Sequence, residues 1–256
     1  MTDRWKGWDV VNNQEKLAFV AKKVGYSSLK RYVLRSNFIF DGLKLEGARV
    51  LEIGCGNGAF CMWAALHGAE YVFGIEPEGN GSTGGTLRLF REVVEKLNLT
   101  NIEAKGIFLQ ELGISTKPFD IIVMYNVINH LDEDKVQILH KDQDAAEKYI
   151  LLVRDLKKFL KPGGIIIVAD CARRNFWNDI GLKSPLAPTI EWHKHQSPQQ
   201  WIKIFKKAEY RLYDFRWSIL NPIGSFASNW LVQYLTVSHF VLRFQSLEDG
   251  KTGANG

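Results

Sequence analysis

Cysteine is scarce in this sequence, with three residues among 256, at Cys55, Cys61 and Cys171. The number is odd and no two of them form a C-x-x-C pair, so their spacing indicates neither a disulfide framework nor a zinc site. A reducing compartment is the simplest setting for such thiols. We therefore expect a cytoplasmic protein.

Long apolar runs are also missing. No stretch reaches the roughly 18 apolar residues from which a membrane-spanning helix is suspected. The charged start, MTDRWKGWDVVNNQEK, is not followed by the apolar segment of a secretion signal. These absences predict a soluble, untargeted protein without a transmembrane segment.

Charge of one sign does not dominate the chain. The sequence has 33 Lys and Arg against 28 Asp and Glu, a net charge of +5. The basic residues are locally concentrated at Lys157, Lys158, Lys161, Lys203, Lys206, Lys207, Arg211 and Arg216. Their helical spacing favours solvated outer faces, so we do not expect a nucleic-acid partner, although an anionic substrate would also be attracted.

The most informative stretch of the sequence is VLEIGCGNGAF, residues 50–60. It is an apolar run that ends in glycines at alternate positions, Gly54, Gly56 and Gly58, and continues into a helical pattern. Such a loop lets the backbone turn sharply and approach a ligand that lies at the start of the following helix. Because GCGNGA also fits the dinucleotide-binding pattern, the loop by itself predicts only a nucleotide-like ligand.

Apolar strands alternate with helical patterns from residue 49 onward. The predicted strands are 49–53, 71–75, 102–104, 119–124, 165–169, 211–217 and 237–244, and the predicted helices are 59–67, 86–97, 133–160 and 198–208. Central runs such as IIVM and IIIVA are typical of strands that are covered on both faces. The pattern therefore predicts an α/β fold with a doubly wound, mostly parallel sheet in a single domain.

Four segments in this order resemble the motifs of the class I S-adenosylmethionine-dependent methyltransferases. They are VLEIGCGNG, GIEP, PFDIIVMYNVINHL and LKKFLKPGGIIIVAD, and they cover about residues 50–170. The resemblance implies a Rossmann-like, seven-stranded sheet whose last strand is antiparallel. It also implies that the cofactor is S-adenosyl-L-methionine and that S-adenosyl-L-homocysteine is the product.

The resemblance also implies which residues contact the cofactor. Glu52 would lie near its methionine end, and Glu76, at the end of the second strand, would accept the ribose hydroxyls. The full set of expected cofactor residues is Glu52, Gly54, Cys55, Gly56, Gly58, Glu76, Pro77, Ile107, Phe108 and Asn126. Family members commonly have an acidic residue after the third strand, whereas this chain has KGIFLQELG there. In this sequence Ile107 and Phe108 would enclose the adenine ring, and Gln110 or Glu111 would supply a polar contact.

Methyl transfer needs a nucleophile held in line with a methyl group that is already activated, and a base only where the acceptor is protonated. The predicted catalytic residues are His195, His193 and His130; Tyr125, Asn126, Asp170 and Glu191 are further candidates at the strand ends. The alternating Glu191, His193 and His195 lack a clear further ligand, so no metal is predicted.

We expect three segments: residues 1–45 as a helical N-terminal extension that is either a lid or a packing appendage, 46–245 as the methyltransferase domain, and 246–256 as a flexible tail. The apolar stretch 219–235 could pack on the sheet edge, on a membrane or on a second protomer, so the chain is a monomer or a homodimer.

The predicted function is methyl transfer to an oxygen or nitrogen of a small molecule. The chain has MYNV where methyltransferases of adenine or glutamine have NPPY or DPPY. RNA or protein methylation, and S-adenosylmethionine binding without catalysis, stay open as alternatives.

Overall fold

The computed structural model of the chain describes residues 7–78, 84–113, 117–218 and 228–247, with side chains from residue 13 onward. Within these ranges the chain forms nine α-helices and seven β-strands. It divides into two compact units, Met1–Leu112 and Gly113–Gly256. In the described part, no helix has the length and hydropathy that crossing a membrane requires.

The first unit carries the glycine loop. Its elements are α1 (Gly7–Lys23), α2 (Leu29–Phe40), β1 (Arg49–Ile53), α3 (Ala59–Leu66), β2 (Tyr71–Ile75), α4 (Thr86–Lys96) and β3 (Ile102–Lys105). The three strands pair in parallel in the order β3-β2-β1. The three strands, α3 and α4 lie where the sequence predicts them, to within one or two residues.

The second unit carries the remaining strands. Its elements are β4 (Phe119–Tyr125), α5 (Glu133–Ile138), α6 (Gln143–Asp155), β5 (Leu160–Cys171), α7 (Phe176–Asp179), α8 (Pro198–Lys207), β6 (Tyr210–Trp217), α9 (Trp230–Leu235) and β7 (His239–Ser246). The strand order is β4-β5-β7-β6, with β4 and β5 parallel and β7 antiparallel to both of its neighbours. The seven strands thus form a mixed, mostly parallel sheet, and the predicted fold class and antiparallel last strand are confirmed.

The helical region predicted over 133–160 is interrupted. After α5 the chain turns, and the side chain of Asp142 accepts a hydrogen bond from the backbone N–H of Ala145 at 2.7 Å, which starts α6 anew. The strand predicted at 165–169 is longer, because β5 already begins at Leu160 and includes the KPGG turn. Pairing with β4 shifts register between Phe119 and Ile121, and this irregularity accommodates the turn.

Helix caps explain several boundaries. Ser28 caps α2 and Ser197 caps α8, where Pro198 occupies the first helical position as the sequence predicts. Helix α3 is buried along most of its length, from Phe60 to Ala65, which holds the glycine loop firmly against its own unit. Most of the apolar stretch predicted at 219–235 and most of the tail lie outside the described residues, apart from α9 and its immediate neighbours.

Candidate cofactor and acceptor sites

The glycine loop joins the carboxyl end of β1 to the start of α3. The backbone N–H groups of Gly54 and Cys55 both donate to the Ile75 carbonyl, at 2.8 and 3.0 Å, so the loop is fixed to the end of β2. Gly54, Gly56 and Gly58 all have positive φ, at 68°, 50° and 80°. This left-handed backbone strongly favours glycine and explains the spacing seen in the sequence.

Gly58 and Gly56 have different surroundings. A Cβ on Gly58 would lie 2.2 Å from a ring carbon of Phe90, so Gly58 is demanded by packing against α4. A Cβ on Gly56 would meet no atom within 4 Å. Open space beside a left-handed glycine at the carboxyl end of a parallel strand is the cradle into which a cofactor fits, so the residues present suit the expected ligand.

Two carboxylates hold the loop from β1 and β2. Glu52 is only 3% exposed, and its Oε2 accepts a hydrogen bond from the backbone N–H of Cys61 at 2.9 Å, in the first turn of α3. Glu76 is 7% exposed, and its Oε2 accepts from the Gly56 N–H at 2.8 Å. The predicted cofactor carboxylates therefore both contact the loop or the helix that follows it.

Burial changes the proton affinity of Glu52. Loss of hydration raises its pKa to about 8, opposed by the hydrogen bonds from Cys61 and reinforced by the negative charge of Glu76. A buried cationic ligand would favour the ionised form. Burial also raises the pKa of the Cys61 thiol well above its usual range, so this cysteine is a poor nucleophile.

The turn after β3 contains the expected adenine pair. Ile107 is half-buried and Phe108 is 51% exposed. Of the two proposed polar contacts, the Glu111 carboxylate accepts from the Phe108 backbone N–H at 2.7 Å and is exposed. The backbone N–H of Glu76 donates to the Lys105 carbonyl at 3.0 Å, so this turn begins beside the end of β2.

In the second unit, β4 and β5 end side by side. The backbone N–H of Asn126 donates to the Ala169 carbonyl at 2.7 Å. Asn126 follows Tyr125 directly and has φ of 53°, an uncommon conformation for a residue other than glycine. Strained backbone of this kind is frequent at ligand sites, and here it lies where ligands of α/β sheets bind.

Asp170 and His195 form a buried pair at the same end of β5. The Nδ1 of His195 lies 3.0 Å from Asp170 Oδ1, and the two residues are 7% and 0% exposed. Asp170 Oδ1 also accepts from the Cys171 backbone N–H at 2.7 Å. Among the described residues, Asp170 Oδ2 is buried without a hydrogen-bond partner. The pair holds an imidazole in one orientation, as a general base requires.

The loop that bears His195 is anchored from several sides. The guanidinium of Arg173 donates to the His193 carbonyl at 2.8 Å and to the Gln137 carbonyl at 3.3 Å. The Gln196 side-chain amide donates to the Val136 carbonyl. The irregular segment that follows β5 is therefore held against α5, which gives His195 a fixed position.

The other two predicted catalytic histidines are in different surroundings. His130 is exposed, with its Nδ1 2.7 Å from the Glu133 carboxylate. Lys194 joins Glu133 and Glu191 at 3.2 and 2.8 Å, and the His193 side chain is exposed. In the part of the chain that the structure describes, no group of three acidic, cysteine or histidine side chains is placed to hold a metal ion.

His239 contacts the predicted site residue Asn126, and sequence reasoning missed it. His239, 6% exposed at the start of β7, places its Nε2 3.1 Å from Asn126 Oδ1 and its Nδ1 2.5 Å from Ser218 Oγ. Asn126 and His239 are 113 positions apart, so no local pattern connects them. The one available signal was a histidine at the start of the last predicted strand.

A doubly wound sheet with this glycine loop and these two carboxylates defines an enzyme of the Rossmann-like, nucleotide-cofactor type. Residues 27–214 match the family described as "Methyltransferase domain", so the chain belongs to that family. It is an S-adenosylmethionine-dependent methyltransferase of the class I fold, and the resemblance seen in the sequence is confirmed.

Relatives support this membership. The ubiquinone biosynthesis O-methyltransferase of Nitrobacter winogradskyi is 26% identical over 209 residues, covering 77% of this chain and 70% of that protein. That of Dinoroseobacter shibae is 26% identical over 186 residues, covering 70% and 66%. The geranyl diphosphate C-methyltransferase of Streptomyces coelicolor, solved with Mg²⁺, geranyl diphosphate and S-adenosyl-L-homocysteine, superposes with a TM-score of 0.59 at 13% identity over 90% of this chain and 84% of that chain. The last likeness concerns the fold.

Proposed function

We propose that this enzyme methylates a hydroxyl oxygen, or alternatively a nitrogen, of a small molecule, with His195 as the general base. The observation that carries the proposal is the buried Asp170–His195 pair at the carboxyl end of β5. The names of the ubiquinone O-methyltransferase relatives favour oxygen as the acceptor atom.

The geometry of the Asp170–His195 pair indicates the role of each residue. S-adenosylmethionine supplies a methyl group that is already activated by its sulfonium sulfur. His195 Nδ1 faces Asp170, which leaves Nε2 to take the proton of the acceptor hydroxyl. The oxygen–carbon bond would form as the carbon–sulfur bond of the cofactor breaks, with S-adenosyl-L-homocysteine as the leaving group. Asp170 stabilises the resulting imidazolium. His193 stays a candidate for the acceptor side, and His130 a candidate base or cofactor-side residue; both side chains are exposed.

The expected cofactor residues are proposed to bind as the sequence suggests. In the first unit these are Glu52, Gly54, Cys55, Gly56, Gly58, Glu76, Pro77, Ile107 and Phe108, and in the second unit Asn126. The open space at Gly56 and the Glu76 carboxylate beside it support this role.

The N-terminal residues 1–45 are proposed to be a lid. Asn57 of the glycine loop donates to the Val24 carbonyl at 3.0 Å, and the Tyr32 hydroxyl donates to the Ala59 carbonyl at 2.8 Å. These bonds join α1 and α2 to the cofactor loop, so opening of the segment would be coupled to cofactor exchange. We further propose residues 46–245 as the catalytic domain, a cytoplasmic location, and a monomer or homodimer.

A labelling experiment tests the acceptor class. The protein is incubated with methyl-labelled S-adenosylmethionine and with separated small-molecule, RNA and protein fractions of a cell extract, and the labelled product is identified by mass spectrometry. Label in an oxygen-methylated small molecule is expected. Label confined to RNA or protein, or cofactor binding without transfer to any fraction, would overturn the proposal.

The base is tested by His195→Gln and Asp170→Asn. Each should lower the transfer rate about 100-fold or more, the usual contribution of a positioned base. His140→Gln, at an exposed histidine, is the matched control and should keep the normal rate. Full activity of His195→Gln would remove the assignment.

A further inference from the structure

The second unit holds another buried hydrogen-bonded chain, on the strands that neighbour the Asp170–His195 pair. His239 lies between Ser218 Oγ, at 2.5 Å from Nδ1, and Asn126 Oδ1, at 3.1 Å from Nε2. Ser218 and His239 are 5% and 6% exposed, whereas Asn126 is exposed. A buried imidazole thus connects to one exposed amide at the carboxyl end of β4.

The main chain around His239 is also fixed. Its backbone N–H donates to Gln233 Oε1 at 2.9 Å, and the Gln233 amide donates to the Ser218 carbonyl at 2.6 Å. The Ser218 N–H donates to the His239 carbonyl at 2.9 Å. The His239 ring also packs beside Tyr125, with the centroids 5.4 Å apart. The imidazole therefore has little freedom to turn.

The hydrogen bonds from Ser218 to His239 and from His239 to Asn126 determine which Asn126 atoms can contact a ligand. An amide oxygen only accepts, so His239 Nε2 carries the proton and donates to Asn126 Oδ1, while Nδ1 accepts from the Ser218 hydroxyl. With its oxygen occupied, the Asn126 side chain offers its Nδ2 donors. The left-handed backbone at Asn126, with φ of 53°, is a conformation that asparagine adopts more readily than most residues.

We propose that His239 is a positioning residue that acts through Asn126, aiming the Asn126 amide nitrogen at an oxygen atom of the bound ligand. This inference rests on the proposed function. The oxygen belongs either to the carboxylate of the cofactor or to the methyl acceptor. In both cases the site selects a ligand with a hydrogen-bond-accepting oxygen.

Three variants test the hydrogen-bonded chain of Ser218, His239 and Asn126. His239→Phe keeps the ring that packs beside Tyr125 and removes both nitrogens. His239→Gln restores a side-chain N–H donor and should rescue. Asn126→Asp replaces the donor with a second oxygen and should repel a ligand carboxylate. Thermal unfolding of each variant shows that the fold is kept.

Calorimetry with two probes separates the sources of the oxygen. S-adenosyl-L-homocysteine has the cofactor carboxylate, and 5′-methylthioadenosine lacks it. If the oxygen is the carboxylate, His239→Phe weakens S-adenosyl-L-homocysteine about tenfold, leaves 5′-methylthioadenosine unchanged, and His239→Gln recovers the affinity. If the oxygen belongs to the acceptor, both affinities of His239→Phe stay normal. Its KM for the extract fraction that receives the methyl label then rises about tenfold.

Two outcomes would overturn the proposal. One is that His239→Phe changes neither affinity nor transfer. The other is that it weakens both probes equally without rescue by His239→Gln, as a purely structural role would do. Failure of the unaltered protein to label any small molecule would instead refute the proposed function, so the two failures are distinguishable.

Discussion

Glu52 accepts a hydrogen bond from the backbone N–H of Cys61 at 2.9 Å, from the end of β1 to the first turn of α3. A carboxylate at a helix start is favourable, because it satisfies an unpaired N–H group and the positive end of the helix dipole. Full burial outweighs this benefit and raises the pKa of Glu52 to about 8. The folded protein therefore favours the protonated form of Glu52 more strongly than water does for an exposed glutamate.

The raised pKa predicts how stability depends on pH. The Glu52 pKa rises from an ordinary value of 4.5 to about 8 on folding, so between these values the folded state binds more protons than the unfolded state. Stability from this group is complete below the ordinary value and is lost as pH rises through the folded value. The slope is at most about 1.4 kcal/mol per pH unit. Urea unfolding of the cofactor-free protein at about pH 5 and about pH 8 measures it.

Glu52→Gln is the matched control for this slope. It keeps an oxygen that can accept from Cys61 and cannot ionise, so its stability should fall less over the same pH range. Identical pH dependence in the two proteins would show that Glu52 does not hold the extra proton.

Gly58→Ala should destabilise the protein more than Gly56→Ala. The new Cβ at residue 58 would lie 2.2 Å from the Phe90 ring, whereas at residue 56 it would meet nothing within 4 Å. We expect a loss of about 3 kcal/mol for Gly58→Ala and about 1 kcal/mol for Gly56→Ala, the latter from the left-handed backbone alone. Denaturant titration of both variants measures the difference, and equal losses would contradict it.

Glu76→Ala should weaken cofactor binding. The carboxylate holds the Gly56 N–H and is the proposed partner of the ribose, so its loss should cost about 1 to 3 kcal/mol of S-adenosyl-L-homocysteine affinity. Glu92→Ala, which removes an exposed partner of Arg88, serves as control. Unchanged affinity in calorimetry would remove the ribose assignment.

Asn57→Ala should loosen the N-terminal segment. It removes the bond from the glycine loop to the Val24 carbonyl, which should cost about 1 kcal/mol of stability and speed limited proteolysis near Gly25. Asn178→Ala, at an exposed asparagine of α7, is the comparison. Equal cleavage rates in the two variants would argue that the segment is not held through Asn57.

Much of the fold could be predicted from the sequence, because the residues that determine each strand, turn or helix end lie close together in the chain. The glycines of the loop, the strand ends at Ile53 and Ile75, and the cap at Ser197 each depend on a few neighbouring residues. Prediction failed where a boundary depended on a distant partner, as at β5, whose start at Leu160 is set by pairing with Phe119 on β4.

The sequence by itself determined the order of strands and helices, the glycine loop and its two carboxylates, because the conformation and burial of short segments depend mainly on their own residues. Only the tertiary structure decided that Gly58 is required by Phe90, that His195 rather than His130 or His193 is paired with Asp170, and that His239 contacts Asn126. These relationships join residues far apart in the chain, and packing of the strands and helices is what brings them within contact distance.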